Sequence, residues 1–551
     1  MTNFDKEINV LVVGSGAGGF TAAIKAADAG ASVLLIESTE LLGGCSSMSG
    51  GGLWIPDNAY MHEAGVNDSK ADARAYMDEI IGDVGPASSN ERREAFLTEG
   101  PLMVDYLRGL GINFNYAKGY PDYYPDKFGG LAEGRCLDGG IYNLNELPKE
   151  YHKKIRGLLP MAMTTKDAAL VSKTFSKSGR KTLGTIIGKR LILGKLAGRN
   201  YVGLGVALIA MLLKVALQKG VEIWLESPLV DLIQEDGRIV GGVVSKQGTS
   251  LRIGADQGVI LAAGGFAKNL EMRQKYHPSP ITTDWTSASP GDLGDGINIG
   301  IKAGAGTALM DDAWWGPTLI NPNGSAQFMI WERSNPFSII VDTEGKRFMN
   351  ESASYVDCGH WQYQHNAKVP CIPAYMIIDS THRKNYMLGM TPPKLTPKTA
   401  FTSGFLKQAP TIRELAAAIG VNADNLEATV ERFNGFCVQG VDEDFNRGNT
   451  AYDRYYSDAE LAQPNPNLGP IAKPPFYALN VWPGDLSTKG GLLADEYARV
   501  LTPDLQVIQG LYAIGNNSAA VMGRTYPGAG ATIGSTMVFG YIAAKDATKS
   551  A

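Results

Sequence analysis

The sequence predicts an α/β fold with two domains, one of which is inserted into the other. The chain has 551 residues, which is too long for one compact core. A buried strand at residues 8–13 runs into a glycine-rich turn, and a short buried strand before Gly515 repeats this pattern near the end of the chain. We therefore expect one domain built from residues 1–307 and 483–551. The middle, 308–482, is richer in Trp, Tyr and Pro and should form the inserted α+β domain.

The N-terminal strand, turn and helix have the features of a dinucleotide-binding βαβ unit. Residues 14–19 read G-x-G-x-x-G, a helical pattern follows until Gly30, and a second strand, 33–36, ends at Glu37. Glycines at these positions let the backbone approach a pyrophosphate at the helix N-terminus, and the acid can bind the adenosine ribose. The residues expected to contact the dinucleotide here are Gly14, Ser15, Gly16, Ala17, Gly18, Gly19, Glu37 and Ser38.

The other elements of this domain follow from similar hydrophobic patterns. Residues 221–265 are β-rich, with a hairpin turn at Asp236-Gly237 and a buried strand at 259–263. Residues 204–213 predict a buried helix, and residues 533–544 predict a helix that closes the chain. Further strands are expected at 221–225, 229–234 and 239–244.

Composition and charge argue against several classes of protein. The 51 basic and 56 acidic residues give a net charge of −5, which disfavours general nucleic-acid binding. The five cysteines lie far apart without a C-x-x-C pair, so we expect no disulfide framework and no zinc site, and the six histidines show no metal-ligand spacing. There is no signal-peptide pattern at the start, and the apolar run 201–213 is too short to span a bilayer, so we expect a cytoplasmic protein.

One segment departs from this even charge distribution. Residues 168–221 contain ten basic residues and no acidic one, and apolar residues interleave with the bases between Leu183 and Leu196. Two interpretations stay open. Residues 173–199 form a basic amphipathic helix that lies on the anionic inner face of the cell membrane, or a solvated basic face over a helix packed on the core. A nucleic-acid site is rejected here, because only Phe175 and Tyr201 could stack on bases.

Several motifs carry a resemblance to known flavoproteins. The run Gly43–Gly51, G-G-C-S-S-M-S-G-G, resembles the flavoprotein subunits of fumarate reductase and succinate dehydrogenase. The stretches 121–125, 350–355, 485–491 and 526–532 narrow the similarity to the 3-ketosteroid Δ1-dehydrogenases within that family. The resemblance covers nearly the whole chain and is weakest at about 126–200, where it indicates a basic insertion.

This resemblance implies a Rossmann-like FAD-binding domain from both chain ends, covered by an inserted catalytic domain. The FAD is expected to be non-covalent, because no histidine stands near Cys45, where some members attach the flavin. The absence of a second dinucleotide fingerprint makes NAD(P)H an unexpected partner. Further FAD contacts are expected from Gly44, Cys45, Ser46, Ser49, Gly50, Gly51, Ala263, Gly264, Gly515, Asn516, Ala531, Thr532 and Ile533.

The resemblance also implies a reaction, the 1,2-desaturation of the A ring of a 3-ketosteroid in steroid catabolism. The Tyr526 hydroxyl and the Gly530 N–H would bind the C3 oxygen, Tyr355 would take the C2 proton with help from Tyr123, and hydride would pass from C1 to flavin N5. A tyrosine ordinarily has a pKa of about 10, so the site must lower it or relay its proton. Among 23 tyrosines only the motifs distinguish these three, and Tyr123 fits better than Tyr124.

Other functions stay open at this point. A 3-ketosteroid Δ4-(5α)-dehydrogenase shares the fold and part of the site, whereas a fumarate-reductase-like enzyme has no use for the tyrosines. A flavin-bearing sterol binder without turnover would not need paired phenols beside an oxyanion site. The electron acceptor is unidentified, and a quinone is one candidate.

Overall fold

The computed structural model describes residues 3–157, 161–173 and 175–550. The strands, in chain order, are β1 Lys6–Val13, β2 Val33–Ile36, β3 Gly52–Trp54, β4 Asn115–Tyr116, β5 Cys136–Asp138, β6 Tyr142–Asn143, β7 Tyr201–Val202, β8 Glu222–Trp224, β9 Leu229–Glu235, β10 Arg238–Lys246, β11 Thr249–Leu261, β12 Thr307–Ala308, β13 Ala313–Ile320, β14 Ala326–Phe328, β15 Ser338–Val341, β16 Ala374–Ile378, β17 Lys407–Ala409, β18 Phe476–Thr488, β19 Gly491–Leu492, β20 Arg499–Leu501 and β21 Val507–Ala513.

The α-helices, in chain order, are α1 Ala17–Asp28, α2 Gly44–Met48, α3 Ala59–Glu63, α4 Lys70–Ile81, α5 Asn90–Gly109, α6 Thr165–Val171, α7 Lys177–Gly184, α8 Gly194–Leu196, α9 Leu204–Gln218, α10 Leu270–Tyr276, α11 Asp295–Lys302, α12 Tyr355–Asn366, α13 Ser380–Asn385, α14 Lys398–Thr402, α15 Ile412–Ile419, α16 Ala423–Gln439, α17 Ala451–Tyr455 and α18 Ala531–Ala547. Thr185–Leu193 is π-helical. Short 3₁₀ turns lie at Gly85–Ser88, Leu144–Glu146, Lys149–Tyr151, Glu332–Ser334, Gly515–Asn517 and Thr548–Ser550.

The first large sheet has the order β20-β21-β11-β1-β2-β8 and combines strands from both ends of the chain. β1 is parallel to β2 and β11, and β11 is parallel to β21. Because side chains alternate along a strand, Val10 and Val12 face one core with α1, α9 and α18, and Leu11 and Val13 face another with the β9–β10 hairpin and α11. The sheet is parallel at its centre, with β20 and β10 added antiparallel, and is covered on both faces. It confirms the predicted α/β fold with a domain built from both ends of the chain.

The predicted elements of this sheet are confirmed, with shifts at their ends. β2 coincides with the prediction, and the hairpin turn at Asp236-Gly237 has positive φ at both residues. β11 begins ten residues before the predicted strand because its first half pairs with β10 while its second half pairs with β1. β11 ends at Leu261, and residues 262–265 follow it as a loop. α9 is buried as expected, and α18 begins two residues earlier than predicted.

A second sheet, with the order β14-β13-β18-β16-β15, lies in the middle of the chain, and β17 pairs with β18. Its longest strand, β18, crosses the expected boundary at 482 and ends at Thr488. β18 thus leads from the second sheet to a turn that contacts the first sheet. β13 enters the same region from the other direction and carries Trp314 close to the cleft.

The basic segment folds as α7, the π-helical Thr185–Leu193 and α8. The Ile186 side chain is buried. Arg190 is not free on the surface, because its guanidinium pairs with Asp167 and donates to the Ala162 carbonyl. Four apolar side chains are exposed instead, and we call them the apolar patch: Ile187, Ile192, Leu193 and Leu196.

Membrane-spanning elements were sought throughout the described part of the chain. None of its helices is long and apolar enough to cross a bilayer.

Candidate active site

A cleft of about 940 Å³ lies where the two sheets meet. One wall is formed by the glycine-rich turn after β1, the segment around α2 and the start of α18, and the other is formed by β13, β14 and a group of tyrosines. Every residue expected to bind cofactor or substrate lines this cleft except Gly51 and Ala531, which lie behind its wall. The sequence motifs therefore converge on one cavity.

The glycines after β1 are needed for different structural reasons. Gly14 has a φ of +110°, and a Cβ there would overlap the Ala262 carbonyl oxygen, so the turn requires glycine. A Cβ at Gly19 would overlap the Gly14 carbonyl, whereas at Gly16 it would meet only the Ser46 hydroxyl, at 3.5 Å. Gly16 is thus the position where backbone is open to a ligand, and it caps α1 without a side-chain hydrogen bond. This is the arrangement that accepts a pyrophosphate.

The Glu37 carboxylate is buried at the end of β2 and is held by five hydrogen bonds, one of them a long bond of 3.4 Å from the Ser38 hydroxyl. Ser15 donates to Oε2 from its hydroxyl and, at 3.3 Å, from its N–H. Thr39 donates to Oε1 from its N–H and its hydroxyl, both at 2.9 Å. The acid is thereby fixed at the cleft wall, where a ribose hydroxyl can donate to it.

The segment around α2 is connected to the first turn by hydrogen bonds. The Ser46 hydroxyl accepts from the Ala17 N–H at 3.2 Å, and the Ser15 hydroxyl accepts from the Gly43 N–H at 2.9 Å. Within the segment, the Ser49 hydroxyl accepts from the Gly51 N–H at 2.9 Å. The Cys45 sulfur accepts from the Ser289 N–H at 3.2 Å, and burial raises the pKa of its thiol. Cys45 is thus a protonated wall residue.

The far end of the nucleotide site contains a buried carboxyl that sequence reasoning missed. Asp292 accepts hydrogen bonds from the Gly265 N–H and from the Ser487 hydroxyl, and burial raises its pKa to about 6. It fills the space below Gly264, where a Cβ would overlap it. The stretch 291–296, G-D-L-G-D-G, does not match a dinucleotide fingerprint, and no other motif in it predicts a contribution to the cleft.

The three predicted catalytic tyrosines come from distant parts of the chain and pack together. Tyr355 begins α12, Tyr123 lies in the loop after β4, and Tyr526 precedes α18. The ring centroids of Tyr123 lie 5.3 Å from Tyr355 and 5.2 Å from Tyr526, and Tyr355 and Tyr526 are 4.9 Å apart. All three side chains line the cleft. Tyr124 points elsewhere and donates to Asp357 at 3.0 Å.

Burial raises the pKa of all three phenols above the ordinary tyrosine value. The neighbouring Tyr123 hydroxyl opposes this effect at Tyr355, and Thr532 opposes it at Tyr526. The sequence suggested two ways in which a tyrosine could act as base: a lowered pKa, or a relay of its proton to a partner. Burial alone does not lower the pKa, because it disfavours the anionic form. The phenols need a partner that stabilises the anionic form.

Gly530 provides a backbone donor beside Tyr526. Its φ is +90°, and a Cβ there would overlap the backbone of Gly52, so the turn before α18 requires glycine. Its carbonyl accepts from the Trp54 N–H at 3.1 Å. Among the residues the structure describes, none accepts a hydrogen bond from the Gly530 N–H. This free donor at the cleft surface is available to an oxygen of a ligand.

Comparisons with known proteins agree with this geometry. Residues 9–533 match the model of the FAD binding domain family. The chain is 43% identical to a 3-oxosteroid 1-dehydrogenase of Mycolicibacterium smegmatis, covering 99% of this chain and 98% of that protein. It is also 37% identical to a 4-oxocyclohexanecarboxylate 2-dehydrogenase of Sinomonas cyclohexanicum, over 98% and 92% of the two chains. The crystal structure of 3-ketosteroid Δ1-dehydrogenase from Sterolibacterium denitrificans superposes with a TM-score of 0.94 at 35% identity, over 99% and 100%.

This chain belongs to the FAD-binding family of 3-oxosteroid 1-dehydrogenases. It is therefore an FAD-dependent oxidoreductase, and the cleft fits the cofactor on its own features. The open backbone at Gly16, the fixed Glu37 carboxylate and the uncapped start of α1 suit a pyrophosphate and a ribose. The described residues contain no group of three or more metal-ligating side chains.

Sequence reasoning missed most of the aromatic surroundings of the tyrosines. Tyr452 packs on Tyr123 with centroids 4.2 Å apart, and Phe328 packs on Tyr355 at 4.9 Å. Tyr120 donates to or accepts from Tyr456 at 2.6 Å. Trp314, Tyr120 and Tyr456 also line the cleft. The sequence shows Tyr455 and Tyr456 as an adjacent pair, but no motif links the pair to the site.

Proposed function

We propose that this chain removes hydrogen from C1 and C2 of the A ring of 3-ketosteroids. The observation that carries the proposal is the convergence of Tyr123, Tyr355, Tyr526 and the free Gly530 N–H at one place in the FAD cleft. A flavoenzyme that only binds a sterol needs neither a base nor an oxyanion site. The named activities of the relatives in M. smegmatis and S. denitrificans support the same substrate class.

The steroid is activated through its C3 oxygen. The Tyr526 hydroxyl and the Gly530 N–H donate to this oxygen, and each such donor contributes about 3–4 kcal/mol in a dry site. These two hydrogen bonds make the neighbouring C2 hydrogen more acidic, because the negative charge left at C2 on loss of the proton can move onto the stabilised C3 oxygen. Tyr355 then accepts the C2 proton, with Tyr123 beside it. FAD, when bound along Gly14–Gly19 and Glu37, supplies a two-electron acceptor for the hydrogen that leaves C1.

The experiment is anaerobic mixing of the purified yellow protein with a 3-keto-4-ene steroid while the oxidised-flavin absorbance is followed. We expect bleaching, and a 1,4-diene product by mass spectrometry and NMR. Bleaching by a 5α-saturated 3-ketosteroid alone, with a 4-ene as product, would transfer the assignment to the Δ4-(5α)-dehydrogenases. Reduction by no 3-ketosteroid would refute the proposal.

A second substrate class must be tested because of the relative in S. cyclohexanicum, named for 4-oxocyclohexanecarboxylate. That monocyclic ketone presents the same carbonyl and neighbouring hydrogens as the steroid A ring. The apolar wall formed by Phe328, Trp314 and Ile330 favours a larger fused-ring substrate. We therefore expect faster flavin reduction by the steroid at equal concentration, and the reverse order would assign the monocyclic ketone.

We further propose that the enzyme lies on an anionic membrane surface through residues 173–199. The apolar patch is exposed beside basic residues, with Leu196 79% and Leu193 59% accessible. At the start of this segment Phe175 lies under Lys394, and Met390, four residues before Lys394 in the chain, is exposed and lines the cavity. This placement suits a substrate, and a quinone acceptor, that dissolve in lipid.

Sedimentation with phosphatidylglycerol vesicles tests the membrane proposal. We expect the wild type to pellet with anionic vesicles and less with phosphatidylcholine vesicles, and the variant with Leu193→Glu and Leu196→Glu to stay in solution. The control is Val438→Glu, because Val438 is also highly exposed but lies on α16. Equal pelleting of the patch variant and the control would overturn the membrane proposal.

A further inference from the structure

Arg333 is a buried cation without a carboxylate partner. Its side chain lies in the turn Glu332–Ser334 and is 1% exposed. The guanidinium donates to the carbonyl oxygens of Met329, Glu351 and Ala353 at 3.1, 2.6 and 2.6 Å. In the described ranges 3–157, 161–173 and 175–550, no carboxylate oxygen lies within 4.0 Å of it.

Most other buried arginine side chains in the described part of the chain have a carboxylate within 4.0 Å: Arg93, Arg135, Arg273, Arg347 and Arg447. Arg92 and Arg383 also lack one and donate to backbone carbonyls. Arg333 differs from them because it also donates to a phenol, that of Tyr452. A buried positive charge is unfavourable unless a negative charge compensates for it. At Arg333 the neighbouring side chains that could supply this charge are phenols.

The phenols form a continuous path from Arg333 to the proposed base. The guanidinium Nη2 donates to the Tyr452 hydroxyl at 3.4 Å. The Tyr452 ring lies 4.2 Å from Tyr123, and the Tyr123 ring lies 5.3 Å from Tyr355. Burial raises the pKa of Tyr452 and of Tyr355, and a hydrogen bond with the Tyr123 hydroxyl opposes this rise at both.

We propose that Arg333 is a positioning residue that serves as counter-ion for one phenolate shared by Tyr355, Tyr123 and Tyr452. This inference rests on the proposed function. The proton that leaves the phenols before the reaction goes to solvent. During the reaction the substrate C2–H bond breaks and an O–H bond forms on Tyr355. The electron pair stays on the substrate as an enolate whose oxygen is bound by Tyr526 and Gly530.

The other charged groups that face Arg333 are already engaged. Asp357 accepts from Tyr124, and Asp453 accepts from Asn350 and Gly448. The remaining titratable and charged neighbours of Arg333 come from every element packed against it. They are Glu332 on its own turn, Glu351 before α12, Cys358 on α12, and Arg447 before α17. The Glu351 carboxylate pairs with Arg347 and Arg447, and the Cys358 thiol has a pKa raised to about 12 by burial. Besides the Cys358 sulfur, which lies 3.7 Å from Nη1 and stays protonated, the groups on which the charge of Arg333 acts are therefore the phenols of Tyr452 and Tyr123.

The pH dependence of flavin reduction tests this role. The rate of the first anaerobic turnover with a 3-keto-4-ene steroid is measured from about pH 6 to about pH 11, so that the range includes the ordinary tyrosine pKa, in the wild type, Arg333→Met and Arg333→Lys. In Arg333→Met we expect the rise of the rate with pH to move upward by about one unit, and the rate at neutral pH to fall about tenfold. The loss shrinks as pH rises. Arg333→Lys keeps the charge and should restore the wild-type profile.

Two control variants and one further test variant accompany this experiment. Arg383→Met removes another buried arginine that donates to backbone carbonyls but makes no hydrogen bond to Tyr123, Tyr355 or Tyr452, and it should leave the pH profile unchanged. Glu332→Gln removes a carboxyl whose pKa burial raises to about 7, and should also leave the profile in place. Tyr452→Phe cuts the path without touching the backbone contacts of Arg333, and should shift the profile as Arg333→Met does. This variant decides the case if Arg333→Met does not fold.

A uniform loss of rate at every pH in both Arg333→Met and Tyr452→Phe would overturn the inference, because it would show a purely structural role. An unchanged rate in both would overturn it too. If the wild type reduces no flavin with a 3-ketosteroid, the proposed function fails first. The two failures are therefore distinguishable.

Discussion

The rings of Tyr123 and Tyr526 lie nearly parallel, with centroids 5.2 Å apart and planes inclined by 17°. Tyr355 stands edge-on to both, so its hydroxyl reaches the space between a phenol proposed to assist proton removal and one proposed to bind the C3 oxygen. The proposed base and the proposed oxyanion donor are thus held in one rigid aromatic group. Tyr123 and Tyr526, which lie far apart in the chain, meet there.

Tyr123→Phe should slow flavin reduction by the steroid at least tenfold, because the hydroxyl that supports Tyr355 is lost. The adjacent Tyr124→Phe is a matched control, since Tyr124 donates to Asp357 instead of entering the group of phenols. Stopped-flow absorbance gives both rates. Equal effects of the two substitutions would remove Tyr123 from the mechanism.

Gly530→Ala should lower Tm strongly and release FAD. The new Cβ would overlap the Gly52 backbone at a φ of +90°, which displaces the start of α18 and its cofactor contacts. Gly420→Ala is the control, because Gly420 has a φ of +74° but open space around its Cβ. Thermal unfolding followed by flavin fluorescence measures both properties. A similarly small loss of Tm and of bound FAD in both variants would show that the contact with Gly52 is unimportant.

Glu37→Ala should weaken FAD binding by about 1.5–3 kcal/mol, the contribution of hydrogen bonds to a charged acceptor. The carboxylate that would accept from the ribose is removed, and Ser15 and Thr39 lose their partner. Isothermal titration of the apoprotein with FAD gives the affinity. Glu40→Ala, at an exposed acid three residues away, should bind FAD normally. Unaltered affinity in Glu37→Ala would mean that the ribose is held elsewhere.

Glu332→Gln should stabilise the protein at alkaline pH relative to the wild type. Burial raises the pKa of Glu332 from 4.5 to about 7. Between these values the folded protein keeps a proton that the unfolded chain has lost, so wild-type stability falls as pH rises through this window, by about 3 kcal/mol in total. The difference in Tm between variant and wild type should therefore grow from about pH 4.5 to about pH 8. A constant difference would contradict the buried, protonated state of this acid.

The sequence predicted the nucleotide-binding half well, because its features are local. A strand, a glycine turn and an acid at Glu37 are adjacent in the chain, and hydrophobic periodicity locates them. The tyrosines were located by motif, but the identities of their neighbours were not. Tyr452 and Arg333 reach Tyr123 through the packing of α17 and a 3₁₀ turn, and no local pattern encodes that contact. The charge run at 173–199 left two interpretations open, because periodicity does not show which apolar residues stay exposed.

The most direct test of the account is hydrogen exchange at C2 with the flavin held reduced, so that no oxidation can follow. The enzyme is incubated anaerobically in D₂O with a 3-keto-4-ene steroid, and deuterium at C2 is measured by NMR. We predict exchange in the wild type, none above background in Tyr355→Phe, and slow exchange in Tyr526→Phe. Tyr363→Phe, on the same helix as Tyr355 but bonded to the Pro280 carbonyl, should exchange normally. Wild-type exchange in Tyr355→Phe would contradict the assignment of Tyr355 as the base.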